Sequence, residues 1–590
     1  MEDIDLSTIK TPADIRKMSL PQLTQLAAEL RAELLKKLSA HGGHVGPNLG
    51  MIEAVIAMHY VFDTPNDKIV FDVSHQTYPH KMITGRIKAF TDPAHYDDVT
   101  GYTSPEESEY DLFSLGHTSS AVALAAGIAK ARDLKGDKEN VIAVIGDGSL
   151  SGGVAFEGLD YGATLGSNFI VVVNDNQMSI AENHGGIYAD LRLLRNTNGT
   201  GEPNLFRSMG YSYRYVNYGN DLRSLIEMFE AVKDIDYPVV VHLNTMKGMG
   251  LPVAEADKET FHYHGPFDLK TGASLNEQNQ QDAPEDYGTL FSRLMLQKMS
   301  SDKRVVTITA GTPGVLGFDS EKRRQAGKQF VDVGIAEQAA VDVAAGLAKG
   351  GMRPVAGFVS SFLQRAYDQF SQDIALNKQA ATFVVFYPGM FGMNDETHLG
   401  FFDIALLSNI PNLTFLAATC KEEFEAMLDW SIKQTEKAIV IRTPGAIATA
   451  DPRIELLDDY SEPRYEVVTK GEKIALIGAG AMFGFMAQAA EQLKAEGVNA
   501  TLINPRNLSA LDTATLDSLK DYAGVITAED GIIDGGFGQK VSSYLGEFPV
   551  KVVNLGLPKE FLNRYNYANL QQRCGLTPDQ IAATALTLLR

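Results

Sequence analysis

The feature that most constrains the fold is a repeated alternation between short apolar runs and longer amphipathic stretches. Three runs, Val141–Ile145, Phe169–Val173 and Val239–Leu243, are rich in β-branched residues and bounded by Gly, Asp or Asn, which is typical of buried parallel strands. Helical periodicity fills stretches between them, such as Ser120–Asp133 and Leu222–Val232. This alternation predicts an α/β fold with helices on both faces of each sheet.

The same alternation continues to the end of the chain. Two polar stretches without periodicity, Ala273–Asp286 and Asp451–Arg464, are candidate linkers. They separate residues 1–272, 285–450 and 465–590, which we predict to be three consecutive doubly wound α/β domains with mostly parallel sheets. The later strand-like runs are Val305–Thr309, Val355–Val359, Phe383–Phe386, Lys473–Gly478, Ala500–Ile503, Gly524–Ala528 and Val550–Leu555. The chain has 590 residues, and since a domain holds roughly 150 residues, this length is consistent with three or four domains.

Charge and composition exclude several classes of protein. The formal net charge of −22 argues against a nucleic-acid partner, because phosphate backbones are bound by clustered Lys and Arg. It does not exclude a phosphorylated small molecule. Two distant cysteines, Cys420 and Cys574, predict neither a disulfide framework nor a Cys-based zinc site. The acidic N-terminus MEDIDLSTIK is unlike a secretory signal. The sequence contains no run of about 18 apolar residues, so we predict no membrane span. We expect a soluble, cytoplasmic protein.

Polar residues follow two of the predicted strands. Gly146-Asp147-Gly148 comes directly after the first run, and Asn176 follows the second run 29 residues beyond Asp147, within Asn174-Asp175-Asn176. A carboxylate and an amide at the carboxyl ends of parallel strands are hard ligands for Mg²⁺ bridging phosphates. Alternatively, both motifs are ordinary turns. Their order and separation resemble the thiamine diphosphate signature, which implies that Asp147, Asn176 and the main-chain carbonyl of Met178 hold the metal.

A second motif opens the predicted helical stretch Ala336–Lys349. Glu337 stands there among apolar residues, after Asp332-Val-Gly-Ile-Ala. A glutamate at a helix start can simply be a partner of the helix dipole. Thiamine chemistry, however, needs one buried carboxylic acid that hydrogen-bonds the aminopyrimidine and so activates the cofactor, which is the electron sink. Thiamine enzymes of the transketolase group carry that glutamate at the position matching Glu337.

Further segments extend this resemblance along the whole chain. They include Gly43-His44-Val-Gly, Phe71-Asp-Val-Ser-His75, Glu107-Ser-Glu-Tyr-Asp111, Gly116-His117-Thr-Ser and Ser361-Phe-Leu-Gln-Arg-Ala-Tyr-Asp. Together with the two motifs above, they resemble the 1-deoxy-D-xylulose 5-phosphate synthase family of the transketolase superfamily. Members of that family decarboxylate pyruvate and join the two-carbon unit to glyceraldehyde 3-phosphate. They are homodimers with the active site between the first and second domains.

The resemblance assigns roles to further residues. Four histidines would line the reacting centre, where they can move protons near neutral pH: His44, His75, His262 and His398. Besides Glu337 and Asn176, the residues expected to contact the cofactor are His75, Gly116, His117, Thr118, Gly148, Ser149, Lys247 and Phe362. Phe362 would pack on the aminopyrimidine ring. The alternative for Phe362 and for each histidine is a structural role in the core.

The sequence departs from the family pattern at the acceptor side. Family arginines in D-R-A-G and R-Y-P-R-G are replaced by Tyr387 and Gly445, a tyrosine by Val359 and an aspartate by Asn394. In the family, those two arginines and the tyrosine hold the acceptor phosphate. Arginine–phosphate hydrogen bonds contribute about 1.5–3 kcal/mol each, so their loss predicts a binding constant weaker by roughly two to four orders of magnitude. Arg365, Tyr387 and Asn394 remain candidate substrate contacts.

These observations predict a thiamine diphosphate- and Mg²⁺-dependent transferase. Its donor would be a 2-oxo acid and its acceptor an aldehyde or ketone, either the usual glyceraldehyde 3-phosphate or, as the missing arginines favour, a different one. Two alternatives are a transketolase with a ketose phosphate donor and a catalytically silent relative, although Glu337, Asp147 and Asn176 are all present. In the third part, the G-x-G of Gly478-Ala-Gly is a weak sign of a nucleotide site, and the resemblance implies dimer contacts. The Gly- and Asn-rich stretch Glu182–Asn204 is predicted to be a mobile loop over a site.

Overall fold

The computed structural model describes residues 4–275 and 284–590. These residues form two compact units, one built from residues before 283 with Gly334–Ala336, the other from the remainder. Most of the candidate linker Ala273–Asp286 lies outside the described residues. The other candidate, Asp451–Arg464, contains neither helix nor strand, while the domain boundaries themselves stay a prediction. No helix in the described part of the chain is long and apolar enough to cross a membrane.

The first unit contains a five-stranded, wholly parallel sheet in the order β1-β2-β3-β5-β4. The strands are β1 (Lys68–Phe71), β2 (Val141–Gly146), β3 (Phe169–Asp175), β4 (Ser212–Val216) and β5 (Pro238–Asn244). Alternate residues of the central strands enter different cores: Ile142 and Val144 join one cluster, Ala143 and Ile145 another. Both faces of the sheet are therefore covered, which explains why these strands read as continuous apolar runs.

Helices of the first unit begin and end where local chemistry favours it. Leu20–His41 starts at a capping box of Ser19 and Gln22 and stops at Gly42, whose φ is +86°, as expected for glycine at a helix end. The other helices are Pro12–Ile15, Gly46–Leu49, Ile52–Val61, Tyr78–Lys81, Lys88–Thr91, Ala121–Lys135, Gly153–Gly162, Ile187–Asn196, Leu205–Ser208, Leu222–Val232 and Pro252–Ala256.

The second unit contains two further sheets. A six-stranded parallel sheet has the order β10-β11-β9-β8-β6-β7. Its strands are β6 (Val305–Thr309), β7 (Phe330–Asp332), β8 (Arg353–Val359), β9 (Thr382–Phe386), β10 (Leu413–Ala417) and β11 (Ala438–Arg442). Its helices are Tyr287–Ser301, Ser320–Ala326, Glu337–Lys349, Tyr367–Gln369, Asp403–Leu407 and Lys421–Lys433.

The last sheet has the order β12-β14-β13-β15-β16 and is parallel except for the β12–β14 pair. Its strands are β12 (Glu466–Thr469), β13 (Ile474–Gly478), β14 (Thr501–Asn504), β15 (Gly524–Ile532) and β16 (Lys551–Leu557). Its helices are Met482–Ala495, Thr513–Asp517, Phe537–Leu545, Tyr567–Arg573 and Pro578–Leu588. The predicted α/β class with mostly parallel sheets is thus confirmed.

The stretch Glu182–Asn204, predicted to be a mobile loop over a site, contains regular secondary structure. A helix spans Ile187–Asn196 within it, and Leu191 and Leu194 on that helix are fully buried. Leucines three residues apart lie on one helical face, so this spacing was the signal of a helix. The flanking Gly and Asn residues obscured it.

Candidate active site

The predicted metal ligands lie where two neighbouring strands of the first sheet end. β2 and β3 stay in register up to Gly146 and Asn174, so Asp147 and Asn176 follow at the same sheet edge. The Asp147 side chain is buried and accepts a 2.7 Å hydrogen bond from Asn183 Nδ2. The buried Oδ1 of Asn176 has no hydrogen-bond partner among the residues that the structure describes. A hard cation would satisfy both oxygens.

The electrostatics of this corner also favour a cation. Burial, and then the neighbouring Asp175 carboxylate, raise the pKa of Asp147 to about 8. Asp175 accepts a hydrogen bond from His242 Nε2 at 2.9 Å and pairs with Arg195. Against the effect of burial, these two partners hold the pKa of Asp175 below its usual value. Two buried carboxyl groups side by side are costly unless a positive charge joins them.

A sharp turn brings the chain after β3 back toward Asp147. Gln177 has a left-handed φ of 69°, and its N–H donates to Asp175 Oδ1 at 3.1 Å. Met178 then forms an isolated β-bridge with Glu182, the residue before Asn183. Within the described residues, no group of three or more His, Cys, Asp or Glu side chains could hold a metal. A metal held at this corner would therefore depend on amide and carbonyl oxygens beside the single carboxylate of Asp147.

Gly148 and Ser149 form the turn that follows Asp147. A Cβ on Gly148 would lie 2.6 Å from Ser179 Cβ, so this position requires glycine because of a close approach. The Gly148 carbonyl accepts a 3.1 Å hydrogen bond from the Tyr188 hydroxyl, and the Ser149 carbonyl accepts one of 2.8 Å from Ser119 Oγ. The turn is thereby fixed from two sides.

Residues 116–118 come shortly before the helix Ala121–Lys135, whose start is bound by Asp72. The Asp72 carboxylate accepts hydrogen bonds from the backbone N–H groups of Ser119 at 2.8 Å and Ala121 at 3.0 Å. Ser119 has a left-handed φ of 77°. Since Ser119 Oγ also donates to the Ser149 carbonyl, Ser119 connects the start of this helix to the turn after Asp147.

Three of the four predicted histidines come together in the first unit. Ring centroids lie 5.1 Å apart for His44 and His75, 5.1 Å for His75 and His262, and 5.8 Å for His44 and His262. Lys247 Nζ lies 3.1 Å from His262 Nδ1 and donates to the Ser179 carbonyl at 2.6 Å. Burial lowers the pKa of Lys247 to about 7 and holds that of His262 well below its usual value. Within this cluster, Lys247 therefore has a pKa in the range where a group can exchange protons near neutral pH.

Asn48 holds two of these histidines from behind. Its Nδ2 donates to the carbonyls of His44 at 2.7 Å and His75 at 2.8 Å, while its Oδ1 accepts from the Tyr78 N–H at 2.8 Å. Asn48 is fully buried. One amide thus sets the separation of two chain segments that carry candidate catalytic residues.

In the second unit, Glu337 begins the helix Glu337–Lys349 and is 3% exposed. Burial raises the pKa of Glu337, and the charge of Arg365 partly opposes that shift. Arg365 Nη1 lies 3.2 Å from Glu337 Oε2. The structure therefore brings Arg365, predicted as a substrate contact, together with the predicted activating carboxyl.

The fourth predicted histidine lies beside Phe362. The ring centroids of Phe362 and His398 are 5.6 Å apart in an edge-to-face arrangement. His398 Nδ1 lies 2.8 Å from Thr397 Oγ1, and the His398 N–H donates to the Asp395 carbonyl at 2.9 Å. These contacts fix the orientation of the imidazole at the end of the loop that also carries Asn394.

The other residues that the sequence analysis placed on the acceptor side carry no positive charge. Tyr387, at a left-handed φ of 52°, packs its ring against a buried apolar cluster. Asn394 Nδ2 donates to the Tyr565 carbonyl at 3.2 Å. A Cβ on Gly445 would meet nothing within 4 Å, so there is room for the beginning of a side chain at this position. Arg442, nearby in sequence, is buried and paired with Asp403 and Asp530.

Sequence reasoning missed several residues that shape these groups. Asn183 and Asp72 could have been suspected, because the first lies in a Gly- and Asn-rich stretch and the second directly follows a strand at the same sheet edge as Asp147. Asn48 and the Asp175–His242 pair had no comparable signal. Their roles arise from contacts between distant parts of the chain.

Comparison with known proteins identifies the family of each part of the chain. The family profile for 1-deoxy-D-xylulose-5-phosphate synthase matches residues 6–202, that for the transketolase pyrimidine binding domain residues 284–447, and that for the transketolase C-terminal domain residues 464–581. A solved transketolase from Leishmania mexicana shares 14% identity over 97% of each chain, with a TM-score of 0.46.

Two curated relatives are much more similar in sequence. The 1-deoxy-D-xylulose-5-phosphate synthase of Symbiobacterium thermophilum is 37% identical over 99% of this chain and 95% of its own. That of Desulforudis audaxviator is 37% identical over 98% of this chain and 97% of its own. From these matches, the chain belongs to the 1-deoxy-D-xylulose-5-phosphate synthase family and is a thiamine diphosphate-dependent transferase.

Proposed function

We propose that this enzyme binds thiamine diphosphate with Mg²⁺, decarboxylates pyruvate or a related 2-oxo acid, and transfers the acyl unit to an aldehyde or ketone other than glyceraldehyde 3-phosphate. One contrast carries the proposal. The residues expected to hold the metal and activate the cofactor are all present, whereas Tyr387 and Gly445 replace the two arginines expected to hold the acceptor phosphate.

The oxygen donors at Asp147 fit Mg²⁺. A buried carboxylate and the unsatisfied amide oxygen of Asn176 are hard ligands, and the Met178 carbonyl would complete the protein's share. The raised pKa of Asp147 supports a site that needs a cation to stay ionised. Asn183 would orient the Asp147 carboxylate through its hydrogen bond. Magnesium would then hold the diphosphate close to the Gly148 turn.

When bound, thiamine diphosphate supplies the electron sink for decarboxylation. Glu337 would donate a hydrogen bond to its aminopyrimidine, a role supported by the raised pKa, which keeps the carboxyl protonated at higher pH. Arg365 would hold the Glu337 side chain in place. His44, His75 and His262 would hold the substrate carboxylate or hydroxyl and move protons, with Lys247 as a hydrogen-bond donor.

On the acceptor side, the chain offers shape and neutral donors. Arg442 is paired with Asp403 and Asp530, and Arg365 is engaged by its hydrogen bond to the Glu337 carboxyl. Two lost charge-assisted contacts of about 1.5–3 kcal/mol each would weaken a phosphorylated acceptor by roughly two to four orders of magnitude. This favours an acceptor without a phosphate.

The test is a steady-state comparison of D-glyceraldehyde 3-phosphate with D-glyceraldehyde, using pyruvate, thiamine diphosphate and Mg²⁺. We expect the enzyme to release CO₂, and we expect a chelator to abolish this activity and added Mg²⁺ to restore it. The kcat/KM for D-glyceraldehyde 3-phosphate should be no higher than that for D-glyceraldehyde. Glu337→Gln should stop CO₂ release, while the matched exposed variant Glu321→Gln should not. Ordinary efficiency with the phosphorylated aldehyde would disprove the acceptor change, and absence of CO₂ release would disprove the donor step.

The family resemblance further supports a homodimer in the cytoplasm. Sedimentation equilibrium should give twice the 64.1 kDa mass of one chain, and a monomer would contradict the assembly. Fractionation of cells should recover the enzyme with cytosolic markers, and recovery elsewhere would contradict that location.

A further inference from the structure

The loop formed by residues 389–398, here called the acceptor loop, carries Asn394 and His398 and follows β9 in the second unit. Its neighbours come from the C-terminal part of the chain. We propose that Tyr565 and Tyr567 hold this loop in the conformation that recognises the acceptor, so that residues 564–567 determine acceptor specificity. This inference rests on the proposed function, because it assumes that Asn394 and His398 face the acceptor.

Two tyrosine hydroxyls bind the acceptor loop directly. The Tyr565 hydroxyl donates to the Met390 carbonyl at 3.0 Å and lies 3.4 Å from that of Met393, and the Tyr567 hydroxyl donates to the Gly392 carbonyl at 3.0 Å. A phenol can donate one proton to a carbonyl that has no partner in its own strand or helix. Burial raises the pKa of Tyr565, so its hydroxyl keeps that proton at any physiological pH.

Main-chain groups add two further links. The Arg564 N–H donates to the Asn394 carbonyl at 2.7 Å, and Asn394 Nδ2 donates to the Tyr565 carbonyl at 3.2 Å. Arg564 has a left-handed φ of 47°, a conformation that persists in a non-glycine residue only where its surroundings hold it. Both the backbone and the side chain of Asn394, a candidate substrate contact, are therefore fixed by residues 564–567.

The start of the acceptor loop rests on the same part of the chain. Gly389 has a φ of 66°, and a Cβ there would lie 1.8 Å from Asp530 Oδ2, so only glycine fits. Asp530 is itself bound by Arg442. The ring of Phe391 stacks on that of Phe485 with centroids 5.8 Å apart. Residues 465–590 thus support the loop at its start and along its middle.

The experiment removes single hydroxyls and compares two steps of the reaction. Tyr565→Phe, Tyr567→Phe and the double variant are assayed as full-length enzyme with thiamine diphosphate, Mg²⁺ and pyruvate. Tyr544→Phe is the matched control, since its hydroxyl bonds to Asp517 at an exposed site of the same domain. We expect KM for D-glyceraldehyde to rise about threefold to tenfold for each loop variant, the factor for one lost hydrogen bond. Acceptor-independent CO₂ release should stay within about twofold.

Hydrogen exchange separates failure of this inference from failure of the proposed function. Without any substrate, the amides of residues 389–398 should exchange faster in Tyr565→Phe than in the wild type. Their exchange rates should be unchanged in Tyr544→Phe. Unchanged exchange, an unchanged acceptor KM, or an equal loss of both reaction steps would overturn the role of residues 564–567. Wild-type protein that releases no CO₂ while exchange responds as expected would instead refute the proposed function.

Discussion

Replacing Arg365 by methionine should destabilise the second unit in a way that grows with pH. Arg365 Nη1 lies 3.2 Å from the buried carboxyl of Glu337. At an effective dielectric constant of about 20, two charges at that distance attract by about 5 kcal/mol. Water at the Arg365 side chain, which is 20% exposed, reduces this value. Leaving the Glu337 carboxylate buried and unpaired should therefore cost about 3–5 kcal/mol.

Protonation of Glu337 limits that cost at low pH. Burial raises its pKa, so the folded state keeps the proton at a pH where the unfolded chain has lost it, and stability falls as pH rises through that window. Removing Arg365 raises the pKa further and extends the window upward. Arg365→Met should therefore cost only about 1–2 kcal/mol at low pH, where a neutral carboxyl loses one hydrogen bond, and the larger amount at high pH, where the carboxylate is ionised.

Urea unfolding followed by tryptophan fluorescence measures this difference. Trp430 is the single tryptophan of the sequence and lies in the same unit as Glu337. In a Glu337→Gln background, the loss of unfolding free energy caused by Arg365→Met should no longer depend on pH. Arg573→Met, which breaks an exposed pair with Glu560, should show little change at any pH. A cost of Arg365→Met that does not vary with pH would refute the assigned ion pair.

Three further predictions concern the metal and acceptor sites. With the metal removed by a chelator, Asp147→Asn should be more stable than the wild type at pH 8.5. Burial and the Asp175 carboxylate raise the pKa of Asp147 to about 8, so ionisation of Asp147 lowers the stability of the folded protein as pH rises toward that value. Equal urea midpoints for the two proteins would contradict this prediction. The same variant should lose Mg²⁺-dependent cofactor binding in calorimetry. Asn183→Ala should weaken Mn²⁺ binding about 10- to 100-fold, measured by electron paramagnetic resonance, and an unchanged affinity would remove Asn183 from the site. Tyr387→Arg should raise the kcat/KM ratio of phosphorylated over neutral aldehyde by about tenfold or more, whereas Tyr387→Met should not; identical ratios would show that this position does not meet the phosphate.

Local patterns in the sequence were enough to predict the fold class and the centre of the site. The predicted runs Val141–Ile145 and Phe169–Val173 match β2 and β3 to within two residues, because strands buried on both faces are continuous apolar segments that need no partner to be recognised. Asp147 and Asn176 could be placed at one sheet edge for the same reason. Glu337 was identified by its motif and lies at the start of the predicted helix.

Tertiary structure decided which side chains meet. Asn183 reaches Asp147 only because a turn at Gln177 reverses the chain, and Arg365 meets Glu337 across 28 residues. Tyr565 lies more than 170 residues beyond Met390 and Met393, whose carbonyls its hydroxyl contacts. Spacing along a chain predicts neighbours within one helix or strand, whereas contacts between elements depend on how all of them pack. The sequence alone therefore determined the fold class and the family resemblance, and only the folded chain revealed how Arg365 is occupied and what supports the acceptor loop.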